Sequence, residues 1–219
     1  MVDRPDEVIA DETVRRLLQR LIEHFDGRLA IISGRSLAQI DHILGEIAQA
    51  LALSGSHGNE HRWNGISAHP VRPPELDRAA QALQALAASH AGALVEEKSY
   101  GVAFHYRMAP AAEPEAQVIA ARLSDELGLE LQKGKMMVEL RVGGGDKGLA
   151  IRRLMSRPPM AGTVPLFIGD DETDEAGFRA CRELGGNGVL VGAPRATAAT
   201  YFLPDPAAVR AWLAAMVDA

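Results

Sequence analysis

Four short, uninterrupted apolar runs set the fold class: Leu29–Ile32, Leu51–Leu53, Val164–Ile168 and Val189–Val191. Each is too short for a helix and lacks polar alternation, so each reads as a strand covered on both faces. Helical patterns stand between them. From Asp11, the residues Val14, Leu17, Leu18, Leu21, Ile22 and Phe25 recur at helical spacing, and Asp26-Gly27 closes the segment as a turn. Ser36 caps a second helix that runs to about Leu44, and further helices are predicted from Asp146, near Thr173–Leu184 and near Pro206–Val217. Strands alternating with helices predict an α/β fold built on a parallel sheet.

The rhythm changes in the middle of the chain. After His69-Pro70-Val71-Arg72-Pro73-Pro74 come two alanine-rich helical stretches, about Glu75–His90 and Glu113–Leu127, and two β-rich segments, Leu94–Arg107 and Leu129–Val142. The proline-rich entry and the Gly143-Gly144-Gly145 exit mark this α+β layer as an insertion. The expected organisation is residues 1–72 as the first part of a core, 73–142 as the inserted layer and 143–219 as the rest of the core.

Charge and cysteine content exclude several function classes. The net charge of −6 gives no basic field, so neither nucleic acid nor an anionic membrane is an expected partner, and an anionic ligand needs local cations. The single cysteine, Cys181, allows no internal disulfide and reads as a small buried hydrophobe, in keeping with a cytoplasmic protein. No run approaches the ~18 apolar residues that span a bilayer.

Chemistry is expected where the strands end, since open α/β sheets bind ligands beyond their carboxyl edge. One strand ends at Ser33 and another at Gly169-Asp170-Asp171-Glu172-Thr173-Asp174, while the glycine-rich exit delivers Asp146-Lys147-Gly148 to a helix start. Asp170, Asp171 and Asp174 crowd negative charge that a magnesium ion would offset, because this ion takes one or two carboxylates and keeps positions for water and phosphate. On spacing alone the same residues equally fit an acidic cap on the following helix, and the preceding apolar strand favours the metal reading. An EF-hand loop is disfavoured, because its glycine would fall at Glu175. Lys147 and the Ser33 hydroxyl suit a phosphate, although each by itself also reads as a surface lysine or a turn residue.

Ser33, Lys147 and the aspartate cluster, in this order and strand context, resemble motifs II, III and IV of the haloacid dehalogenase superfamily. Within it, Ile32-Ser33-Gly34-Arg35, Gly55-Ser56-His57-Gly58-Asn59-Glu60, Lys135 with Glu139, and Gly169–Glu175 resemble the trehalose-6-phosphate phosphatases over nearly all 219 residues. The resemblance implies a Rossmann-like core with an inserted α+β cap and magnesium-dependent hydrolysis of a small-molecule sugar phosphate, with a monomer expected. It implies direct magnesium coordination by Asp170, support from Asp171 and Asp174, and a phosphoryl group held by Ser33 and Lys147. It also implies sugar contacts from Glu96, Lys98, Arg107, Lys135 and Glu139 in the cap, with Arg35, His57 and Glu60 reaching the substrate from the core. By parity Glu96 and Lys98 share one strand face, as Lys135 and Glu139 would, although alternating charges also mark an ordinary wet face. His57 equally reads as a packed loop residue.

The resemblance stops short of one motif. The family's nucleophile and its acid–base partner sit in an Asp-x-Asp-Gly-Thr at the end of the first core strand, and no such sequence is present. Val2-Asp3-Arg4-Pro5-Asp6-Glu7 resembles the segment that follows that motif, so the first strand and the nucleophile are expected upstream of residue 1. The alternatives are a phosphatase for another sugar phosphate and a short protein that binds its sugar phosphate without hydrolysing it. A response-regulator receiver also clusters aspartates with a lysine, but motif order and the insertion argue against it.

Overall fold

The computed structural model describes residues 10–63, 66–68 and 71–218. Val2–Glu7 and His69-Pro70 lie outside them. The chain divides into two compact units, one formed by Met1–His69 with Gly145–Ala219 and the other by Pro70–Gly144.

The first unit opens with α1 (Glu12–His24), whose start is fixed by Asp11 accepting from the Val14 amide at 2.8 Å. The chain then enters β1 (Ala30–Ile32) and α2 (Leu37–Leu44), where Ser36 and Gln39 form a reciprocal capping box. β2 (Ala52–Gly55) lies parallel to β1, and β3 (Glu60–Trp63) and β4 (Ile66–Ala68) extend this sheet as an antiparallel hairpin. Leu37, Ile40 and Leu44 of α2 pack with Leu51 and Leu53, joined by Val14, Leu18 and Ile22 of α1, which closes one face of the sheet.

The second unit is a four-stranded antiparallel sheet with two helices on one face. In chain order it contains α3 (Pro74–Ser89), β5 (Leu94–Lys98), β6 (Gly101–His105), α4 (Glu113–Leu127), β7 (Glu130–Gly134) and β8 (Met137–Arg141), with the strands arranged β5-β6-β8-β7. Alternation decides the faces. Val102, Phe104, Val138 and Leu140 meet Leu76, Leu83, Ala116 and Ala120 of the helices in one core, and the intervening residues lie on the opposite face.

The chain returns to the first unit through α5 (Lys147–Met155), β9 (Leu166–Gly169), α6 (Glu175–Glu183), β10 (Asn187–Val191), β11 (Tyr201–Leu203) and α7 (Pro206–Asp218). β9, β10 and β11 are parallel, with β10 central. The hairpin β3–β4 and strand β11 were not anticipated: β3 and β4 carry polar residues, and β11 is a three-residue apolar stretch, Tyr201-Phe202-Leu203, just before a predicted helix. Cys181 is fully buried on α6, where burial pushes its thiol up to about 11, so it is an inert packing residue at neutral pH.

β1 and β9 depart from the expected burial. β2 and most of β10 are fully buried, whereas β1 is only half-buried and Leu166 of β9 is 45% exposed. Each of the two is the end strand of its sheet and pairs on one side only among the described residues. Both rest on the same helical layer, with Ile32 and Phe167 packed against Ile151 of α5 and Ala180 and Cys181 of α6. These strands have the apolar content of central strands, and each has one edge unpaired among the described residues.

The second unit's core offers a direct test. Phe104 is fully buried against Tyr106, with ring centroids 6.5 Å apart. Phe104→Ala is expected to cost about 3–5 kcal/mol, read as a lowered urea midpoint.

Candidate active site

Asp174 organises the carboxyl end of β9. It is 2% exposed, and both carboxylate oxygens are engaged: Oδ2 accepts from the amides of Asp170 and Asp171 at 2.8 and 2.9 Å, and Oδ1 accepts from the Lys147 ammonium at 2.5 Å. A Cβ on Gly169 would stand 2.4 Å from the Asp174 carboxyl carbon, so only glycine fits where the strand turns. Asp171 caps the short turn Glu172–Asp174, accepting from the Glu172 amide at 2.6 Å. Asp170 is exposed, and its carboxylate takes no hydrogen bond or ion pair among the described residues.

This places two carboxylates, Asp170 and Asp171, at one strand end, beside a lysine that is held by a third. No three His, Cys, Asp or Glu side chains gather as a complete metal cage among the described residues. The pair still fits magnesium, which needs few protein ligands and retains water or phosphate on its other positions. Asp174, with both oxygens committed, shapes the loop that carries the pair.

Lys147 is the first residue of α5, whose cap is Asp146 accepting from the Leu149 amide at 2.6 Å. The same helix braces the loop after β2. Arg153 donates to the Gly58 carbonyl at 3.0 Å and contacts Nε2 of His61 at 2.6 Å, and burial together with this cation holds the imidazole below its usual range. A neutral ring is what the arginine requires of its acceptor.

Ser33 follows β1, with its amide donating to Ser54 O at 2.9 Å and its carbonyl accepting from the His57 amide at 3.2 Å. Its Oγ accepts from the Arg35 amide at 3.1 Å, which leaves the hydroxyl hydrogen to donate elsewhere. The His57 imidazole lies against Gly34. Glu60 is buried and accepts at Oε2 from Ser56 Oγ (2.5 Å) and the Leu37 amide (3.2 Å), so it acts on the site by holding the loop to the start of α2.

The remaining expected residues belong to the second unit. Glu96, Lys98 and Glu139 share the sheet face that the helices leave uncovered, with Lys98 Nζ 2.9 Å from Glu139 Oε2. Glu139 is 5% exposed, and a Cβ on Gly101 would stand 2.7 Å from its Oε1, so this glycine makes room for the carboxylate. Arg107 is exposed beyond the end of β6. Lys135 sits in the two-residue turn between β7 and β8, so the parity expected to align it with Glu139 does not reach it.

Sequence reasoning missed two supports. His105 Nε2 lies 2.9 Å from Glu96 Oε2, a pairing legible only once the β5–β6 register is known. Glu175 pairs with Arg195 and accepts from the Ala198 amide at 2.7 Å, and Arg195 also donates to the Asp171 carbonyl at 2.7 Å. Burial would raise the Glu175 carboxyl, but hydrogen bonds from Ala198, Thr197 and Arg195 outweigh it and hold the group below its ordinary value of 4.5.

Comparison with known proteins adds independent findings. The family profile described as trehalose-phosphatase matches residues 1–207. The chain is 37% identical over 213 residues to the trehalose-6-phosphate phosphatase of Escherichia coli, covering 95% of this chain and 79% of that protein. It is 34% identical to a probable trehalose-phosphate phosphatase of Sinorhizobium fredii, covering 99% and 82%. Among solved structures, a trehalose-6-phosphate phosphatase related protein superposes with a TM-score of 0.83 at 26% identity over 100% of this chain and 92% of its own. The C-terminal domain of a Candida albicans trehalose-6-phosphate phosphatase shares the fold, with a TM-score of 0.80 at 24% identity over 100% and 87%.

The Glu175 contacts predict a pH signature. A depressed carboxyl stabilises the fold fully above its unfolded value near 4.5, and the contribution is lost as pH falls through the lower folded value. The stability gap between wild type and Glu175→Gln is therefore expected to be constant near neutrality and to close below about pH 4.5, measured by denaturant unfolding at several pH values.

Proposed function

The chain belongs to the trehalose-phosphatase family, and from that premise we propose that it takes part in hydrolysing trehalose 6-phosphate to trehalose and phosphate with magnesium as cofactor. The observation that carries the reading is the constellation around Asp174, which holds Lys147 beside the exposed carboxylate of Asp170. Lys147 offers a fixed positive charge and Ser33 a donor hydrogen, the two requirements of a phosphoryl group crowded by carboxylates. Asp170 and Asp171 would hold the magnesium, which when bound neutralises charge on the phosphoryl oxygens. Glu96, Lys98 and Glu139 suit a polyol, which offers many hydroxyls and little apolar surface.

The attacking carboxylate is not among these residues. We assign it to an Asp-x-Asp-Gly-Thr carried on a parallel strand from outside the 219 residues that pairs with the free edges of β1 and β9. Its first aspartate would form a bond to phosphorus as the sugar oxygen leaves and takes a proton from the second. Water, activated by that second aspartate, would then release phosphate and restore the carboxylate. The half-buried state of β1 and β9 supports this reading, because both have apolar side chains suited to a central position.

The test is phosphate release from trehalose 6-phosphate by the 219-residue chain and by the same chain carrying an added N-terminal strand that ends in Asp-x-Asp-Gly-Thr. Activity is expected in the second, abolished by a chelator and lowered about 100-fold or more by Asp170→Asn. Turnover indifferent to chelator and to Asp170→Asn would remove the metal assignment. Sugar-phosphate binding without release from either form would leave a binding protein.

A further inference from the structure

Gln132 occupies a position that nothing in the known pattern of the site explains. It lies on β7 directly opposite Glu139 of β8, and Glu139 lies opposite Ala103 of β6, which lies opposite Glu96 of β5. One row therefore crosses all four strands on the face away from the helices, reading Glu96, Ala103, Glu139, Gln132. Three of the four carry oxygen acceptors, and the fourth, Ala103, is small and fully buried between them.

Within the row the acceptors are not equally satisfied. Glu139 takes the Lys98 ammonium and Glu96 takes His105. Gln132 Oε1 is buried and has no hydrogen-bond partner among the described residues. A buried carbonyl without a donor costs on the order of 1–3 kcal/mol, and folded proteins seldom retain one without a use. Its neighbour across the strand, Glu139, is a carboxylate and has no hydrogen to give it.

We propose that Gln132 is a specificity-determining residue that accepts a hydrogen bond from one hydroxyl of the bound sugar, completing a recognition row with Glu96 and Glu139. The inference rests on the sugar-phosphate reading above and adds a residue to it. A polyol hydroxyl is a suitable donor because, having given its hydrogen to one acceptor, it can still accept from another group such as the Lys98 ammonium. A site with an unpaired buried acceptor also rejects ligands lacking that hydroxyl more strongly than an apolar pocket would. Gln132 is thereby a binding group whose cost in the free protein is offset only when the sugar is present.

The experiment is calorimetric titration of the 219-residue chain and Gln132→Met with trehalose 6-phosphate, trehalose and inorganic phosphate, with thermal unfolding of both proteins. Gln132→Met is expected to weaken both sugars about 5–10-fold, leave phosphate affinity unchanged and keep or raise the melting temperature, because an unpaired carbonyl has been removed. Among monodeoxy trehaloses, one should bind the wild type more weakly than trehalose yet bind Gln132→Met no worse than trehalose does. Equal sugar affinity of the two proteins, or a lowered melting temperature with uniform loss of all ligands, would overturn the assignment. Sugar binding sensitive to Gln132→Met, with no phosphate release even when the Asp-x-Asp-Gly-Thr strand is supplied, would sustain this row while removing the hydrolytic reading.

Discussion

The buried carboxylate of Asp174 is the interaction on which the candidate active site depends. A charge at 2% exposure is tolerable only where hydrogen bonds and a counter-ion replace water, and here two backbone amides and the Lys147 ammonium do so. The same contacts have geometric consequences. They fold the chain after β9 so tightly that Gly169 cannot carry a side chain, and they leave Asp170 exposed, its carboxylate without a hydrogen bond or ion pair among the described residues. They also fix the first turn of α5 against the start of α6. One desolvated aspartate thus decides where the free carboxylate and the cation stand.

A second layer of support surrounds that centre and uses the same device. Glu175 is desolvated and compensated by Arg195 and the Ala198 amide, and Arg195 reaches back to the Asp171 carbonyl. Glu60 is buried and compensated by Ser56 and the Leu37 amide, which ties the loop bearing His57 to α2. In each case a carboxylate removed from water holds a loop at the carboxyl end of a strand, and the loop presents the exposed groups. Charged residues in this core therefore divide between those that build loops and those that remain available to a ligand.

That division explains how far the sequence could be read. The short apolar runs gave the parallel strands, and Ser36 and Asp146 could be located as helix starts because capping is a local interaction. Asp170 and Asp174 could be named together from spacing, but not told apart, since which of them is buried depends on how Lys147 arrives from a helix over twenty residues earlier in the chain. Glu60 could not be recognised as a tie between the loop and α2, because its partners, Ser56 and Leu37, come together only when β2 and α2 pack. Lys135 looked aligned with Glu139 because strand parity was carried through a turn. β3 and β4 were missed because short strands with polar residues lack the apolar signature of the others, and β11 because its three apolar residues are too few to stand out before the last helix.

The sheet face of the second unit shows the reverse case, in which register creates a relationship that no local pattern contains. Glu96, Glu139 and Gln132 are separated by tens of residues or by an intervening turn, yet the β5-β6-β8-β7 order aligns them across Ala103. Gly101 then matters for what it omits, since any side chain there would push the Glu139 carboxylate away from Lys98. Two carboxylates paired with Lys98 and His105, beside an amide oxygen with no partner among the described residues, make a row of fixed acceptors. Such a surface gains most from a ligand that brings many hydroxyl donors. An apolar ligand would leave those acceptors unpaired, and an anionic one would meet the charges of Glu96 and Glu139. The chemistry of this face therefore favours a neutral ligand rich in hydroxyls over an apolar or an anionic one.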